Sequence, residues 1–566
     1  MKVSFPHQED PHTRQAQPSR QRLLRVAAGV AAGLLLIVAL VIVLRPQASL
    51  GTLARLEQSW GAGAYGVGGL AENWSIAIGS FFRSQIADLP EVPQLVIDVP
   101  FKDMSKLYQK REEALAMGHL VQGDDDFVNG SIRVDGRVVP IKLRLKGDWV
   151  DHLQGRKWSF RIRVRDGEHV LGMRRFSLQH PLTRGYHAEL MYFELLRGFG
   201  VMVPRYLFVD VTLNGEDVGL MALEEFFAKE LLEFNRRRES VIVRFDESLP
   251  WAARDSLSGE PVGWNGAFDD YRNAAIDGIG STRIAESPVL AQQFRTAQGL
   301  LRGFADGKLG ASQVFDVQQL GRFIAVSDVM GAWHATRWAN LRFYLNPISL
   351  RLEPIPFDAN LQEAFVDNRS IVNGEPILLD MLRDPAVWSV YVETLALLNQ
   401  LAAEGTLQAN LGSVEDEWLP VLQTEFRMLG EYPLDYLQER SATLYAAMSR
   451  VAAEDTDKLA YYLPFEQRLY PLLVHLSVMQ DPDGSVVQVE NAIPKDVTIE
   501  AIDWVNDETG ERIGAVGDVL PLGVPPRGIG SPGQRLHLPL TPPPGAAGWA
   551  LEATTRLAGR AWVATL

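Results

Sequence analysis

A long apolar segment near the N-terminus constrains where the rest of this chain can fold. Residues Val26–Leu44 form 19 consecutive uncharged positions, enough for a helix to cross roughly 30 Å of hydrocarbon. Positive charges precede the segment at Lys2, Arg14, Arg20, Arg22 and Arg25. Because only Arg45 and Arg55 follow it closely, the positive-inside rule predicts a cytoplasmic N-terminus. We therefore expect a single-pass protein of the cell inner (cytoplasmic) membrane, with the bulk of the chain periplasmic or otherwise extracytoplasmic.

A cleaved signal peptide is the alternative interpretation of this segment. The apolar core of a signal peptide usually spans about 7 to 15 residues and ends at a small-residue cleavage site. Residues Ala48–Gly51 are a weak match to such a site. The chain contains no cysteine, which suits an oxidising compartment and excludes disulfides, thiol nucleophiles and cysteine metal ligands.

The overall composition is typical of a globular protein with several domains. The 566 residues are 46% hydrophobic and 22% charged, which is sufficient for more than one sizeable core. The net charge of −15 argues against a nucleic-acid partner, because nucleic-acid binders normally carry a basic surface. No Walker, HExxH or GxSxG pattern occurs in the sequence, so the enzyme classes that depend on those motifs are not indicated.

Alternating apolar and polar residues predict a β-rich region after a juxtamembrane stalk at residues 45–93. A strand is expected from Leu95, and a hairpin around Asp135–Gly136, because a two-residue turn of the primed type needs positive φ. The helix His187–Phe199 follows, and Asn214–Gly215 marks a second hairpin. Together these elements predict a small antiparallel sheet with one helix.

The remainder of the chain is predicted to be helical first and then rich in β-strands. Helical spacing of apolar residues occurs in five segments: Pro288–Gly303, Val317–Trp333, Ala386–Ala403, Val414–Leu429 and Leu434–Arg450. After residue 462, short β runs separated by Pro and Gly predict a β-sandwich-like module. The expected α+β organisation is a cytoplasmic tail (1–25), a transmembrane helix (26–44), a stalk (45–93), a two-lobed domain (94–462) and the C-terminal module (463–566).

Several segments between Leu95 and Phe365 occur in a characteristic order. They are KLRLKGDWVDHLQGRKWSFRIRV, then ELLRGFGVMVPRYLFVDVTLNGEDVGLMALEEF, then ANLRFY with PIPFDAN. This ordered set resembles the CotH kinase family, the atypical kinases related to a spore-coat protein. The resemblance implies an atypical protein-kinase-like domain with a β-rich N-lobe and a helical C-lobe. It also implies transfer of the γ-phosphoryl group of ATP, bound with Mg²⁺ or Mn²⁺, to a hydroxyl of a protein substrate.

The resemblance also implies a metal site. Asp358 would chelate the divalent cation, with Asn340 as its partner and Asn360 nearby, since carboxylate and amide oxygens are suitable ligands for such a cation beside phosphates. The alternative readings are structural: Asn340 could be a turn-former before a strand, and Asp358 an ordinary loop cap.

Three residues would contact the nucleotide by the same resemblance. Lys157 would reach the phosphates from the polar face of its strand, Glu194 would pair with Lys157 to fix its position, and Glu224 would line the nucleotide pocket. Each also has a structural alternative. Lys157 could be a solvated residue at a strand end, and the two glutamates could be surface residues.

The position that orients the acceptor hydroxyl departs from the kinase pattern. A kinase catalytic loop carries an Asp five residues before the metal-binding Asn, but that position here is Ala335. His334 could act as the general base because its unperturbed pKa is roughly 6.5, or it could be a structural histidine. Asp328 is a second candidate, although it lies twelve residues before Asn340 and would need a different loop path.

Three functional hypotheses remain open from the sequence. The first is an active extracytoplasmic kinase, which would need a nucleotide supply outside the cytoplasm. The second is a pseudokinase that keeps the fold to bind a ligand or partner, as Ala335 suggests. The third is an envelope assembly or polysaccharide-associated scaffold that acts through the C-terminal module.

Overall fold

The computed structural model describes residues 75–81, 89–248, 250–251, 270–361 and 370–451, and, in the C-terminal part, 474–481, 484–491, 496–506, 509, 511–525, 535–541, 543, 549–557 and 560–565. The predicted transmembrane segment Val26–Leu44, most of the predicted stalk and the predicted boundary after residue 462 lie outside these ranges. Within them, no helix combines the length and apolar character needed to cross a membrane.

The first half of the described chain forms a closed β-barrel. Its strands are β1 (Gln94–Asp98), β2 (Val128–Val134), β3 (Arg137–Leu145), β4 (Phe160–Val164), β5 (Arg175–Gln179), β6 (Tyr206–Leu213) and β7 (Glu216–Glu225). They follow the order β1-β2-β3-β4-β5-β7-β6 around the barrel. The prediction of a small antiparallel sheet is wrong in one respect, because β1 pairs in parallel with β6 and the sheet closes into a barrel.

Both predicted hairpins are confirmed. Asp135 and Gly136 connect β2 to β3 with φ of 48° and 71°, and Asn214 and Gly215 connect β6 to β7 with φ of 50° and 82°. Two successive left-handed residues define the primed turn that matches the twist of the flanking strands. Along β3 the residues alternate between the barrel interior, where Leu143 is fully buried, and the polar face.

Helices cover one side of the barrel and build a second, larger core. They are α1 (Phe101–Met117), α2 (Ala188–Gly198), α3 (Lys229–Phe234), α4 (Ser281–Glu286), α5 (Pro288–Ala305), α6 (Ala311–Val314), α7 (Val317–Met330), α8 (Trp333–Thr336), α9 (Pro376–Leu382), α10 (Pro385–Ala403), α11 (Thr406–Leu422) and α12 (Leu434–Met448). Four of the five predicted helical segments begin or end within three residues of an observed helix. The fifth, predicted at Val414–Leu429, starts earlier, after Gly405 in the left-handed conformation.

A second sheet lies within the helical part. It contains β8 (Ile242–Phe245), β9 (Ile276–Gly278), β10 (Arg342–Asn346) and β11 (Arg351–Ile355), in the order β11-β10-β8-β9. Helix α7 is almost entirely buried beside this sheet. The Tyr192 hydroxyl of α2 lies 2.7 Å from Ser327 Oγ of α7, and this hydrogen bond links the two helices.

The C-terminal residues form two further sheets. The strands are β12 (Val474–Asp481), β13 (Gly484–Asn491), β14 (Val497–Asn506), β15 (Arg512–Gly514), β16 (Leu522–Val524), β17 (Arg535–Pro539), β18 (Trp549–Leu557) and β19 (Arg560–Thr565). One sheet has the order β12-β13-β17, and the other β15-β14-β18-β19 with β16 paired to β14. A hydrophobic cluster that includes Val487 of the first sheet and Ile499 of the second lies between them, so alternating strand residues produce a packed pair of sheets.

Candidate active site

A cavity of about 1070 Å³ opens between the barrel and the helical part. Its barrel side comes from the end of β3, the loop at residues 147–154, and β4 and β5. Its other side comes from the segment after β7, the turn between β9 and α4, helix α8 and the loop after β11. These connections lie on the surface of a rigid scaffold, where binding residues are common.

A buried ion pair joins β3 to β7 at the cavity. The alternation along β3 continues to Lys146, whose Nζ lies 2.9 Å from Glu224 Oε2. Burial lowers the pKa of Lys146 to about 8, against the attraction of Glu224. Burial works to raise the pKa of Glu224, but the charges of Lys146 and Arg184 outweigh it and lower that pKa. Glu224 is therefore a carboxylate held by two cations.

Arg184 connects this pair to the loop after β11. It ends the 3₁₀ turn Pro181–Arg184, and its Nη1 lies 2.7 Å from Asp358 Oδ1. Its Nε faces Glu224 at 3.7 Å, and in the described part of the chain neither Arg184 Nε nor Glu224 Oε1 has a hydrogen-bond partner. Both atoms are inaccessible to solvent, so this pair carries unused hydrogen-bonding capacity inside the structure.

Asp358 occupies a special backbone position. Its φ is 58°, and that of Asn360 is 50°, a left-handed conformation that Asp and Asn tolerate better than other residues. Burial works to raise the pKa of the Asp358 carboxyl, but Arg184 and then His334 hold it far below its ordinary value. Asp358 is therefore ionised at any physiological pH.

His334 brings Asp358 and Asn340 together. Its Nδ1 lies 3.3 Å from Asp358 Oδ1 and 3.2 Å from Asn340 Nδ2. Asn340 Nδ2 also donates to the His334 carbonyl at 2.9 Å. Burial works to lower the pKa of His334, but the charge and hydrogen bond of Asp358 outweigh it and raise that pKa. The predicted meeting of Asn340 and Asp358 is thus present, with the imidazole at their junction.

A further carboxyl group lies beneath Asp358. Glu189, in the first turn of α2, is fully buried and accepts hydrogen bonds from the Ala359 backbone N–H at 3.0 and 3.2 Å. Burial raises the pKa of Glu189 to about 8, against the opposing charge of Arg184. It holds the backbone of the Asp358 loop against α2.

A scan against protein-family models matches the CotH kinase protein family over residues 143–427, about half of the 566 residues. The chain belongs to the CotH kinase family. The match begins within β3, includes Lys146, Arg184, Glu224 and Asp358, and ends after α11. It indicates a kinase-like domain. A search of curated proteins finds no match for the chain.

The CotH resemblance predicted that Lys157 and Glu194 pair with each other, and this pairing is wrong. Lys157 pairs with Glu425 at 2.9 Å and donates to the Leu220 carbonyl at 2.9 Å, so it connects the barrel to the segment after α11. Glu194 pairs with Arg197 one turn along α2 at the surface. Lys157 precedes β4 rather than lying within it. Its side chain therefore does not follow the alternation that the sequence predicted.

Asp328 is also misplaced as a catalytic candidate in this CotH-family chain. It is fully buried in α7 and accepts hydrogen bonds from the Ser370 hydroxyl (2.7 Å), the Tyr391 hydroxyl (2.7 Å) and the Ile371 N–H (3.0 Å). Arg440 lies 3.4 Å from it. Its partners make it a structural carboxylate between helices, remote from solvent.

Sequence reasoning missed Lys146, Arg184 and Glu189. Glu189 shares the buried stripe of α2 with Tyr192, Phe193 and Leu196, and a carboxyl on an apolar stripe is a readable signal. Lys146 continues the polar face of β3. Arg184 carries no comparable local signal.

The donors around Asp358 fit a divalent cation bound together with phosphates. Among the described residues there is no group of three or more His, Cys, Asp or Glu side chains that could hold a metal by themselves. Mg²⁺, however, is usually bound by one or two carboxylates, with substrate phosphates and waters supplying the rest. Asp358 with the amide oxygens of Asn340 and Asn360, all lining the cavity, matches that pattern.

The cavity lining is strongly cationic although the chain as a whole is acidic. Its ten basic residues, besides histidine, are Arg144, Lys146, Arg161, Arg163, Arg175, Arg184, Arg244, Arg283, Arg337 and Arg342. Its six acidic residues are Asp124, Asp148, Asp151, Glu247, Asp277 and Asp358. A cleft whose lining carries a net charge concentrates ligands of the opposite sign. The excess of ten basic over six acidic residues therefore favours an anion in the CotH-family cavity.

Proposed function

We propose that the cavity binds a nucleoside triphosphate with a divalent cation and transfers its γ-phosphoryl group to a hydroxyl of a protein substrate. The observation that carries the proposal is the buried Lys146–Glu224 pair beside ionised Asp358 in a cationic cleft. Phosphoryl transfer depends almost entirely on positioning and on charge stabilisation. Those are the properties that this cleft provides.

The residues take separate roles in this proposal. Lys146, positioned by Glu224, binds phosphate oxygens, and Arg184 stabilises charge on the transferred group. Asp358, with Asn340 and Asn360, holds a cation, which when bound neutralises the charge of the phosphates. His334 lies at the junction of Asp358 and Asn340 and orients the acceptor hydroxyl.

A phosphate-binding pseudokinase is the second candidate. Two observations favour it. Buried Ala335 occupies the position where a kinase catalytic loop carries its catalytic Asp. The Asp358 carboxylate already has a cationic partner in Arg184. In this case the same residues bind the nucleotide without transfer. The two candidates share the binding step and differ only in turnover.

The proposal includes a location. The apolar segment Val26–Leu44 and the arginines that precede it support an anchor in the cytoplasmic membrane with the N-terminus inside. The kinase-like domain would then act on an envelope protein or partner. Protease protection of an N-terminal tag in sealed spheroplasts, with digestion of a C-terminal tag, tests this topology. Protection of both tags would contradict it.

The first experiment for the chemistry is a thermal-shift titration of the full-length protein with ATP and Mg²⁺ or Mn²⁺. We expect nucleotide with cation to raise the unfolding temperature, because binding to the folded state alone stabilises it. The rise should be absent from Asp358→Ala and Lys146→Met. Lys102→Met is the matched control, since Lys102 lies on α1, is exposed and does not line the cavity.

Transfer of labelled γ-phosphate to protein then separates the two candidates. Incorporation by the wild type that is lost in Asp358→Ala supports the kinase. Nucleotide stabilisation without incorporation supports the pseudokinase. A wild type that shows no nucleotide-dependent shift would overturn both and favour the scaffold hypothesis.

A further inference from the structure

The β3–β4–β5 sheet face in the cavity brings like charges directly opposite one another. Arg144 is paired across the strands with Arg161, Lys142 with Arg163, and Arg163 with Arg175. Like charges in opposite positions destabilise a sheet. An anionic ligand bound to these residues would reduce the repulsion between them, so such an arrangement is expected at an anion-binding site.

Two of these arginines have no directly bonded counterion within the described part of the chain. The guanidinium groups of Arg161 and Arg175 make no hydrogen bond or ion pair there, whereas Arg163 donates to the exposed Asp124 at 2.7 Å. Burial lowers the pKa of Arg161 to about 9, and burial with the charge of Arg163 lowers that of Arg175. Glu224 acts on Arg161, and Glu230 and Asp124 act on Arg175, without a direct ion pair. Positive charge therefore exceeds negative charge at this end of the cavity.

Aromatic rings hold the orientation of these arginines. The Arg161 guanidinium lies 3.9 Å from the centre of the Phe226 ring, and that of Arg163 lies 4.0 Å from Phe127. Stacking on a ring fixes the plane of a guanidinium while leaving its N–H groups at the edge. A planar fork of this kind is suited to the oxygens of a phosphate or carboxylate.

The arginine cluster of Arg161, Arg163 and Arg175 extends away from the site at Lys146. Arg161 lies nearest to that site, and Arg163 and Arg175 lie beyond it. The Lys146 backbone N–H donates to the Ser159 carbonyl, so Lys146 lies opposite Ser159, four residues from Arg163. At roughly 3.3 Å per residue this places the Arg163 backbone ~13 Å along the strand from that of Lys146. A phosphate bound by Lys146 and Arg184 is therefore not bound at the same time by Arg163 and Arg175.

We propose that the arginine cluster is a second oxyanion subsite, which binds a further phosphate group of the ligand that occupies the cavity. This inference deepens the proposed function. It rests on that function only in taking the ligand at Lys146 to be a nucleotide. The phosphate belongs either to the far end of an extended donor or to an anionic acceptor. In both cases the substrate carries negative charge at a distance from the reacting group.

Calorimetric titration of the full-length protein with inorganic pyrophosphate tests the subsite. We expect two binding events in the wild type, one weakened about tenfold or more in Arg163→Gln/Arg175→Gln and the other in Lys146→Met, since each variant removes charge-assisted hydrogen bonds. Arg133→Gln/Arg137→Gln is the matched control, because it removes two exposed charges from the β2–β3 hairpin. Single Arg175→Gln provides a milder variant if the double one is unstable.

Repeating the titration with saturating ATP and Mg²⁺ identifies the source of the phosphate. Loss of the arginine-dependent event shows that the donor fills the subsite, and its persistence assigns the subsite to the acceptor. Loss of pyrophosphate binding in the arginine variant but not in Lys146→Met would retain the subsite and remove the proposed nucleotide site. Unchanged affinity in the arginine variants would overturn the inference.

Discussion

Replacement of Lys146 by methionine tests the buried pair on which the proposed function depends. Lys146 and Glu224 are 5% and 1% exposed, so Lys146→Met leaves a buried carboxylate without its nearest cation. Removing one partner of a buried pair costs about 3–5 kcal/mol. Arg184 at 3.7 Å and Gln179 at 3.3 Å remain beside Glu224. We therefore expect a cost at the lower end, about 3 kcal/mol.

This cost is measurable as a fall in unfolding temperature. One kcal/mol shifts the midpoint by about 2–4 °C in domains of 150–250 residues, so Lys146→Met should lower it by roughly 6 °C or more. Thermal unfolding followed by circular dichroism gives the value. Lys102→Met, at an exposed position on α1, should stay within about 0.5 kcal/mol of the wild type.

The double variant Lys146→Met/Glu224→Gln separates lost pairing from lost packing. Once the carboxylate is neutral, no buried negative charge remains to be compensated, so the double variant should be less destabilised than the sum of the single variants. An additive result, or a Lys146→Met protein as stable as Lys102→Met, would refute the conclusion that Lys146 compensates a buried Glu224 charge.

Three other substitutions have defined outcomes. Asp328→Ala should lower the unfolding free energy by about 3–5 kcal/mol, because it leaves buried Arg440 without its carboxylate, while nucleotide affinity of the folded protein at low temperature stays unchanged; a selective loss of affinity would contradict its structural role. Asp358→Asn should lower the pKa of His334, because burial and the charge of Arg184 both act against protonation once the Asp358 charge is gone. NMR titration of the imidazole checks this, and an unmoved pKa would show that the Asp358 charge is not the cause of the raised value. The raised pKa of Glu189, about 8, gives stability that is present below its unfolded value near 4.5 and is lost as the pH rises through about 8. Glu189→Gln should therefore gain stability relative to the wild type between pH 5 and pH 8 in urea unfolding, and a constant difference would contradict burial of the proton.

Local signals in the sequence were sufficient to predict the two hairpins and the position of part of the candidate site. The Asp135–Gly136 and Asn214–Gly215 hairpins follow from turn chemistry alone, and both are present. Asn340 and Asp358 flank adjacent strands, β10 and β11, whose pairing brings the ends together. These features depend on residues close in the chain, which is why they are readable.

Features that depend on distant pairing were not readable. Lys146 and Lys157 are both basic residues at strand ends, and only the registers that place β7 beside β5 and β6 show that Glu224 faces Lys146. Barrel closure by parallel β1 and β6 is equally non-local. A buried carboxyl on an apolar helix face marks both Glu189 and Asp328, although only Glu189 supports the cavity. The signal thus identifies burial without identifying the role.

The ion pair between the buried Arg184 guanidinium and Asp358 has a consequence for cation binding in the proposed function. In the proposed function, a divalent cation would have to displace the Arg184 guanidinium, which lies 2.7 Å from Asp358 Oδ1 and is part of the same chain. If the rearranged, receptive form is one molecule in a hundred, apparent cation affinity falls about a hundredfold. A phosphate that draws Arg184 aside would restore that affinity, so metal and phosphate would enter as mutual prerequisites.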